Sequence, residues 1–124
     1  MGVKQTRQQK MAEQAYKRVE SIISQEKEYK EQYLQAAQSF PALVHTNGLC
    51  QAVSFYTTEK GRNTDYLCDL ASILNIKAVE DLGEQVRRTN LEEYMHLTQS
   101  VMSAAGWMKR YAQALLKESE KTTK

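Results

Sequence analysis

A chain of 124 residues fits one domain and is long enough to bury roughly two-thirds of its unfolded surface; it is 26% charged and 41% apolar, with a net charge of +2. That balance excludes a protein that coats nucleic acid by bulk charge, and no apolar run approaches the ~20 residues of a membrane span. Two cysteines, Cys50 and Cys68, are too few for a zinc site of their own, and with no secretory signal they are expected as reduced thiols of a cytoplasmic protein.

The first predicted helix runs from about Lys4 to Gln25. Met11, Ala15, Val19 and Ile22 recur at helical spacing, with Ala12, Tyr16 and Ile23 beside them. At 100° per residue, Arg7, Lys10, Lys17 and Arg18 fall on the opposite face within an arc of roughly 100°. Residues 1–18 carry Lys4, Arg7, Lys10, Lys17 and Arg18 against Glu13 alone, so this segment holds +4 and the remainder −2. One basic face on a nearly neutral chain suits a specific polyanion contact. It also suits a solvated helix face steadied by i,i+4 pairs such as Glu13 with Lys17.

A second helix is predicted from Glu28 to Ser39, with Tyr29, Tyr33, Ala36, Ala37 and Phe40 inward. Then comes Phe40-Pro41-Ala42-Leu43-Val44-His45-Thr46-Asn47-Gly48-Leu49, which holds the sole proline of the chain. Pro41 is expected to end or kink the helix, because it lacks an N–H and restricts Phe40. Thr46-Asn47-Gly48 reads as a turn and helix start. His45 and Asn47, which both donate and accept hydrogen bonds, would then stand at a fixed corner. Bonds to backbone groups freed by the chain break would occupy them, which is compatible with ligand contact.

A third helix follows from Leu49 to about Glu59, its inner face Leu49, Ala52, Val53 and Tyr56, with Gly61 as a stop. A fourth covers Thr64 to Leu74 with Asn75 at its end, and a short fifth covers Ala78 to Arg88. Arg87 and Arg88 favourably oppose the dipole of that fifth helix. The last runs from Leu91 to about Lys117, opened by Asn90 and Glu93 as a capping box. Its stripe is Tyr94, Val101, Met108, Ala112 and Leu115, and Lys109-Arg110 beside Trp107 make a second basic site. The expected domain covers residues 1–118, with 119–124 a frayed tail. No strand-like alternation or internal repeat competes, so the fold class is all-α, a compact bundle of about six helices.

Catalytic constellations are sparse. His45 and His96 are the only histidines, and no third group orients a pair of His45 with Cys50. Glu93-Tyr94-Met95-His96 is half of a carboxylate di-metal signature, but the second half is absent. No glycine-rich phosphate loop occurs. Met1-Gly2 through Thr6 formally matches a myristoylation signal, a short pattern that also arises by chance. The residues therefore favour a binding or assembly module over an enzyme, with no cofactor and no metal.

Three segments carry a resemblance. The corner Phe40–Leu49, Met11-Ala12-Glu13-Gln14-Ala15-Tyr16 near the start and Trp107-Met108-Lys109-Arg110-Tyr111-Ala112 near the end together resemble, in order and over the whole chain, the small helical subunit of the type III-B (Cmr) CRISPR effector complex. The resemblance implies a non-catalytic subunit for antiviral defence. Its partners would be the backbone and large subunits, copies of itself in a stacked minor filament, and the target RNA, single-stranded or paired with the guide. RNA cleavage would belong to neighbouring subunits. The expected RNA contacts are Arg7, Lys10, Lys17 and Arg18, His45 and Asn47, and Lys109 and Arg110. The rival expectation is a helical protein–protein adaptor without nucleic-acid contact, anchored by Trp107 and the tyrosines.

Overall fold

A computed structural model of the chain describes residues 5–58 and 62–122. Six helices and no strand form among these residues: α1 (Arg7–Glu20), α2 (Lys27–Asn47), α3 (Leu49–Thr58), α4 (Arg62–Ile73), α5 (Val79–Arg88) and α6 (Leu91–Thr122). The two long helices, α2 and α6, form the axis. α1 lies along α6, α3 and α4 pack on α2, and α5 closes the side formed by α3 and α4. The core is continuous through all six. It runs from Met11, Ala15 and Val19 of α1 to Val101, Ala104, Met108, Ala112 and Leu116 of α6. No helix among the described residues is long and apolar enough to cross a membrane.

The expected all-α bundle is thus what forms, and most helix ends have a visible chemical cause. α1 starts at Arg7 rather than Lys4 because Thr6 caps it. Thr6 Oγ1 accepts from Gln9 N–H at 3.0 Å and Gln9 Oε1 accepts from Thr6 N–H at 2.8 Å, a reciprocal capping box. Its other end comes at Glu20 rather than Gln25. The Ser21 hydroxyl donates to Arg18 C=O at 2.6 Å, and residues 22–25 close in short turns. α4 ends in a Schellman motif: Asn75 takes φ 63°, Ile76 N–H reaches Ala71 C=O at 2.8 Å and Asn75 N–H reaches Ser72 C=O. Asn90 Oδ1 accepts from Glu93 N–H at 2.9 Å to open α6, one half of the expected capping box. α6 continues to Thr122, past the expected end at Lys117. The Gly61 stop falls outside the described residues.

One expectation is overturned. Pro41 neither ends α2 nor makes the corner; the helix runs through it to Asn47. The lost N–H removes one rung, but Ala36, Ala37, Phe40 and Val44 are all buried on either side of it. Burying that face outweighs one missing hydrogen bond. The break comes instead at Gly48, with φ 88° and ψ 160°. Its N–H bonds Val44 C=O at 2.8 Å while its C=O accepts from Ala52 N–H at 3.1 Å, so one residue links the two helices. Tyr94 of α6 pins this link as an acceptor: Cys50 N–H donates to Tyr94 Oη at 2.9 Å.

A Cβ at Gly48 would meet only the Tyr94 hydroxyl, at an ordinary 3.7 Å. Space is available, yet the backbone region is one that side chains avoid. Gly48→Ala should therefore destabilise the fold by roughly 1–3 kcal/mol, read as a urea-midpoint shift at unchanged slope. An unchanged midpoint would mean that the link relaxes to another conformation at no cost.

Candidate nucleic-acid interface

α1 turns Met11, Ala15 and Val19 to the core, and this sets the direction of its basic residues. Arg7, Lys10 and Lys17 are exposed, and Arg18 is half-buried at the edge facing α4. Arg7, Lys10 and Arg18 line one groove of about 610 Å³ between α1 and the end of α4, with Gln14, Ser72 and Asn75. Lys17 stands outside that lining, 3.6 Å from Glu13. Both members of that pair are largely solvated, so the contact is weak and a stronger partner can displace it. Lys10 has no ion pair among the described residues.

Arg18 is held inward. Its guanidinium lies 3.8 Å from Asp69 of α4, whose Oδ2 accepts from the fully buried Tyr33 hydroxyl at 2.5 Å. One helical turn away, Tyr29 donates to Asp65 at 2.6 Å. Burial pushes the Asp69 carboxyl above its usual range and outweighs the opposite pull of the Tyr33 hydroxyl and the Arg18 guanidinium. Burial and the Asp69 charge push the Tyr33 hydroxyl upward in turn, so Tyr33 stays a donor. Arg18 thus joins α1 to α4 as well as edging the groove. Sequence reading missed Asp69, although a signal was there. Tyr29 and Tyr33 on one helix match Asp65 and Asp69 on another, each pair at i,i+4.

His45 and Asn47 sit on the last turn of α2, both exposed, not at a proline corner. Thr46 Oγ–H donates to Ala42 C=O at 2.9 Å and lies 2.8 Å from Asn47 Oδ1. The His45 imidazole has no hydrogen bond among the described residues. Lys109 and Arg110 are about 100° apart around α6. Lys109 is half-buried, whereas Arg110 is exposed with its guanidinium carbon 5.3 Å from the Trp107 ring centre.

Trp107 is itself committed to the seam between α1 and α6. Its Nε1–H donates to Gln8 Oε1 at 2.8 Å, and its ring stacks on Tyr111 at 5.9 Å. Tyr16 of α1 meets Tyr111 edge-on at 5.3 Å. With Tyr111 and Arg110 both against it, the indole anchors two helices and presents a cation outward. The expected residues therefore occupy three places: a face of α1, the end of α2 and the middle of α6. A larger groove of about 650 Å³ lies elsewhere, between α2 and α3, and among the described residues no charged side chain lines it.

Catalytic chemistry gains no support from the thiols. Cys50 is half-buried and Cys68 exposed, both free. Burial and the neighbouring Asp65, Asp69 and Glu80 push the Cys68 thiol upward, which disfavours the reactive thiolate. Among the described residues no group of three or more His, Cys, Asp and Glu could hold a metal ion.

The family described as CRISPR-associated protein (Cas_Cmr5) matches residues 7–115. The CRISPR system Cmr subunit Cmr5 of Thermus thermophilus is 36% identical over 115 residues, spanning 91% of this chain and 98% of that protein. The crystal structure of a CRISPR-associated Cmr5 family protein from the same organism matches with a TM-score of 0.86 at 36% identity, covering 90% of this chain and 98% of the other. A match of that extent in both sequence and backbone shows the family: the chain belongs to the Cas_Cmr5 family, the small helical subunits of the type III-B Cmr CRISPR system.

Proposed function

We propose that this chain is a non-catalytic subunit that stacks with copies of itself and lines the path of target RNA through phosphate contacts. The observation that carries this reading is the face of α1: Arg7, Lys10 and Lys17 exposed on the side away from Met11, Ala15 and Val19. A subunit that serves any guide must not read bases. Lysine and arginine side chains on a helix face contact phosphates without sequence preference. A net charge of +2 keeps one copy weak, so that affinity arises from aligned copies. Guide pairing supplies sequence discrimination. The partners are the other Cmr subunits, backbone and large, and neighbouring copies. Stacking requires two different complementary faces on each protomer.

The test is binding of fluorescent single-stranded RNAs of unrelated sequence, with and without the backbone subunits. Wild type is compared with Lys10→Glu/Lys17→Glu across a salt series. Arg18 is left intact because it braces Asp69. Loss of two phosphate contacts should make the salt slope shallower by about 1.4, at roughly 0.7 per phosphate for a single strand, and should weaken binding for every sequence alike. Equal affinity and slope for both proteins would make the α1 face a solvated surface.

An adaptor without nucleic-acid contact is the second reading, favoured by Leu91 and Met95. They sit one turn apart on α6 and are 75% and 57% exposed. Association through such an apolar pair would persist in high salt, where phosphate contacts fail.

A further inference from the structure

The seam between α1 and α6 holds a second cleft, of about 180 Å³, that the basic-face reading does not use. That is several times the roughly 30 Å³ share of one water. Arg7, Gln8, His96, Gln99, Ser100 and Ser103 line it above Met11. His96, Ser100 and Ser103 are spaced i, i+4, i+7, so one face of α6 supplies them all. Among the described residues, no carboxylate is in the lining.

The hydrogen bonds already made bias this cleft toward donors. Trp107 Nε1–H can only donate, so Gln8 must turn its oxygen to the indole, which leaves its NH2 free. Arg7 Nη2 donates to Ser100 Oγ at 3.4 Å; this occupies a lone pair of Ser100 and leaves its hydroxyl proton to donate elsewhere. The Ser103 hydroxyl and the His96 imidazole complete the wall. A cationic fork, an amide and two hydroxyls around a small space match the acceptor oxygens of a tetrahedral anion.

We propose that this cleft is a phosphate pocket, and that its occupant is a backbone phosphate of bound RNA. The second clause rests on the RNA-lining role proposed above; the first does not. Arg7 stands where the two sites meet, because it also lines the groove between α1 and α4. A strand following the face of α1 would thus have one phosphate fixed by several directed hydrogen bonds, where Lys10 and Lys17 supply only point charges. His96, surplus to any metal motif, gains a role here.

The sole tryptophan is a built-in reporter, because its indole N–H is bonded to a wall residue of the cleft. The full-length protein, labelled with nitrogen-15, is titrated with inorganic phosphate and separately with a short oligouridylate while the Trp107 indole resonance is followed. Both should move it saturably. Ser103→Asp, which puts a carboxylate into the wall, should abolish the movement by phosphate and weaken the oligonucleotide by about tenfold or more, as expected for losing hydrogen bonds to a charged group. Ser103→Ala should weaken both probes by less than Ser103→Asp, since it removes one hydroxyl donor to the anion without adding a charge. Lys10→Glu/Lys17→Glu should keep the response to inorganic phosphate. Should Ser103→Asp melt early, Arg7→Gln replaces it.

The outcomes separate the two proposals. Movement by phosphate alone, with no response to RNA, would establish an anion pocket and overturn RNA as its occupant. RNA binding that is lost in Lys10→Glu/Lys17→Glu yet leaves the indole unmoved and Ser103→Asp unaffected would overturn the pocket and leave the basic face standing. No movement with either probe overturns the pocket outright.

Discussion

Phe40→Ala should lower the unfolding free energy by roughly 3–5 kcal/mol, the largest effect expected of any single truncation in this chain. Phe40 is fully buried one residue before Pro41. Its ring lies 5.0 Å from Tyr56 of α3 and 5.4 Å from Tyr66 of α4, and Tyr66 lies 6.0 Å from Tyr33 of α2. Three helices therefore meet on one aromatic cluster. Removing its centre leaves a void that rigid neighbours cannot close. It also removes the burial that carries α2 through the proline. In a thermal melt the midpoint should fall by roughly 12–20 °C for a domain of this size. Tyr66→Phe is the matched control. The Tyr66 hydroxyl is buried without a hydrogen-bond partner among the described residues, so deleting it should leave stability unchanged or raised. A Phe40→Ala loss below about 1.5 kcal/mol would show that the cluster collapses and that another feature holds α2 straight.

That cluster marks the limit of what one-dimensional pattern reveals. The inward faces of α1 and α3 were legible because Met11, Ala15 and Val19, and Leu49, Ala52, Val53 and Tyr56, keep helical spacing, and all seven are buried. Asn75 and Asn90 were legible as an end and a start because their local hydrogen bonds suffice to set them. The Thr6–Gln9 capping box was equally legible from its spacing and was passed over. Pro41 misled because its cost is local and certain while the burial opposing it is tertiary. On α6 the expected Leu115 is half-buried and Leu116 takes the core position, as the stripe drifts around a helix of that length.

The candidate site divides in the same way. The exposure of Arg7, Lys10 and Lys17 follows from angle alone. The tether from Arg18 to Asp69 spans two helices distant in sequence, and no periodicity encodes it. Nor does any motif announce the cleft beside Arg7. Its walls become neighbours only when α1 lies along α6, a packing set by Trp107, Tyr111 and Tyr16.

Asp69 gives the second prediction, one whose sign depends on pH. Its carboxyl is only 19% exposed and its proton affinity is raised in the fold, chiefly by burial. Between the unfolded value of 3.8 and the higher folded one, the folded chain holds more protons than the unfolded chain. The stability this contributes is fully present below pH 3.8 and is lost as pH rises through the folded value. Asp69→Asn keeps an oxygen to accept from Tyr33 and carries no charge to desolvate. Its stability should therefore match wild type at pH 3 and exceed it at pH 7, the gap opening across that window. Asp69→Ala removes the acceptor and strands the buried Tyr33 hydroxyl, at a cost of roughly 1–3 kcal/mol at pH 3 that shrinks across the same window, because alanine also carries no charge to desolvate. Urea unfolding at steps from pH 3 to pH 7 measures both. Parallel wild-type and Asp69→Asn curves would mean that the Arg18 guanidinium cancels the burial of the carboxylate, and would make that ion pair the dominant tie between α1 and α4.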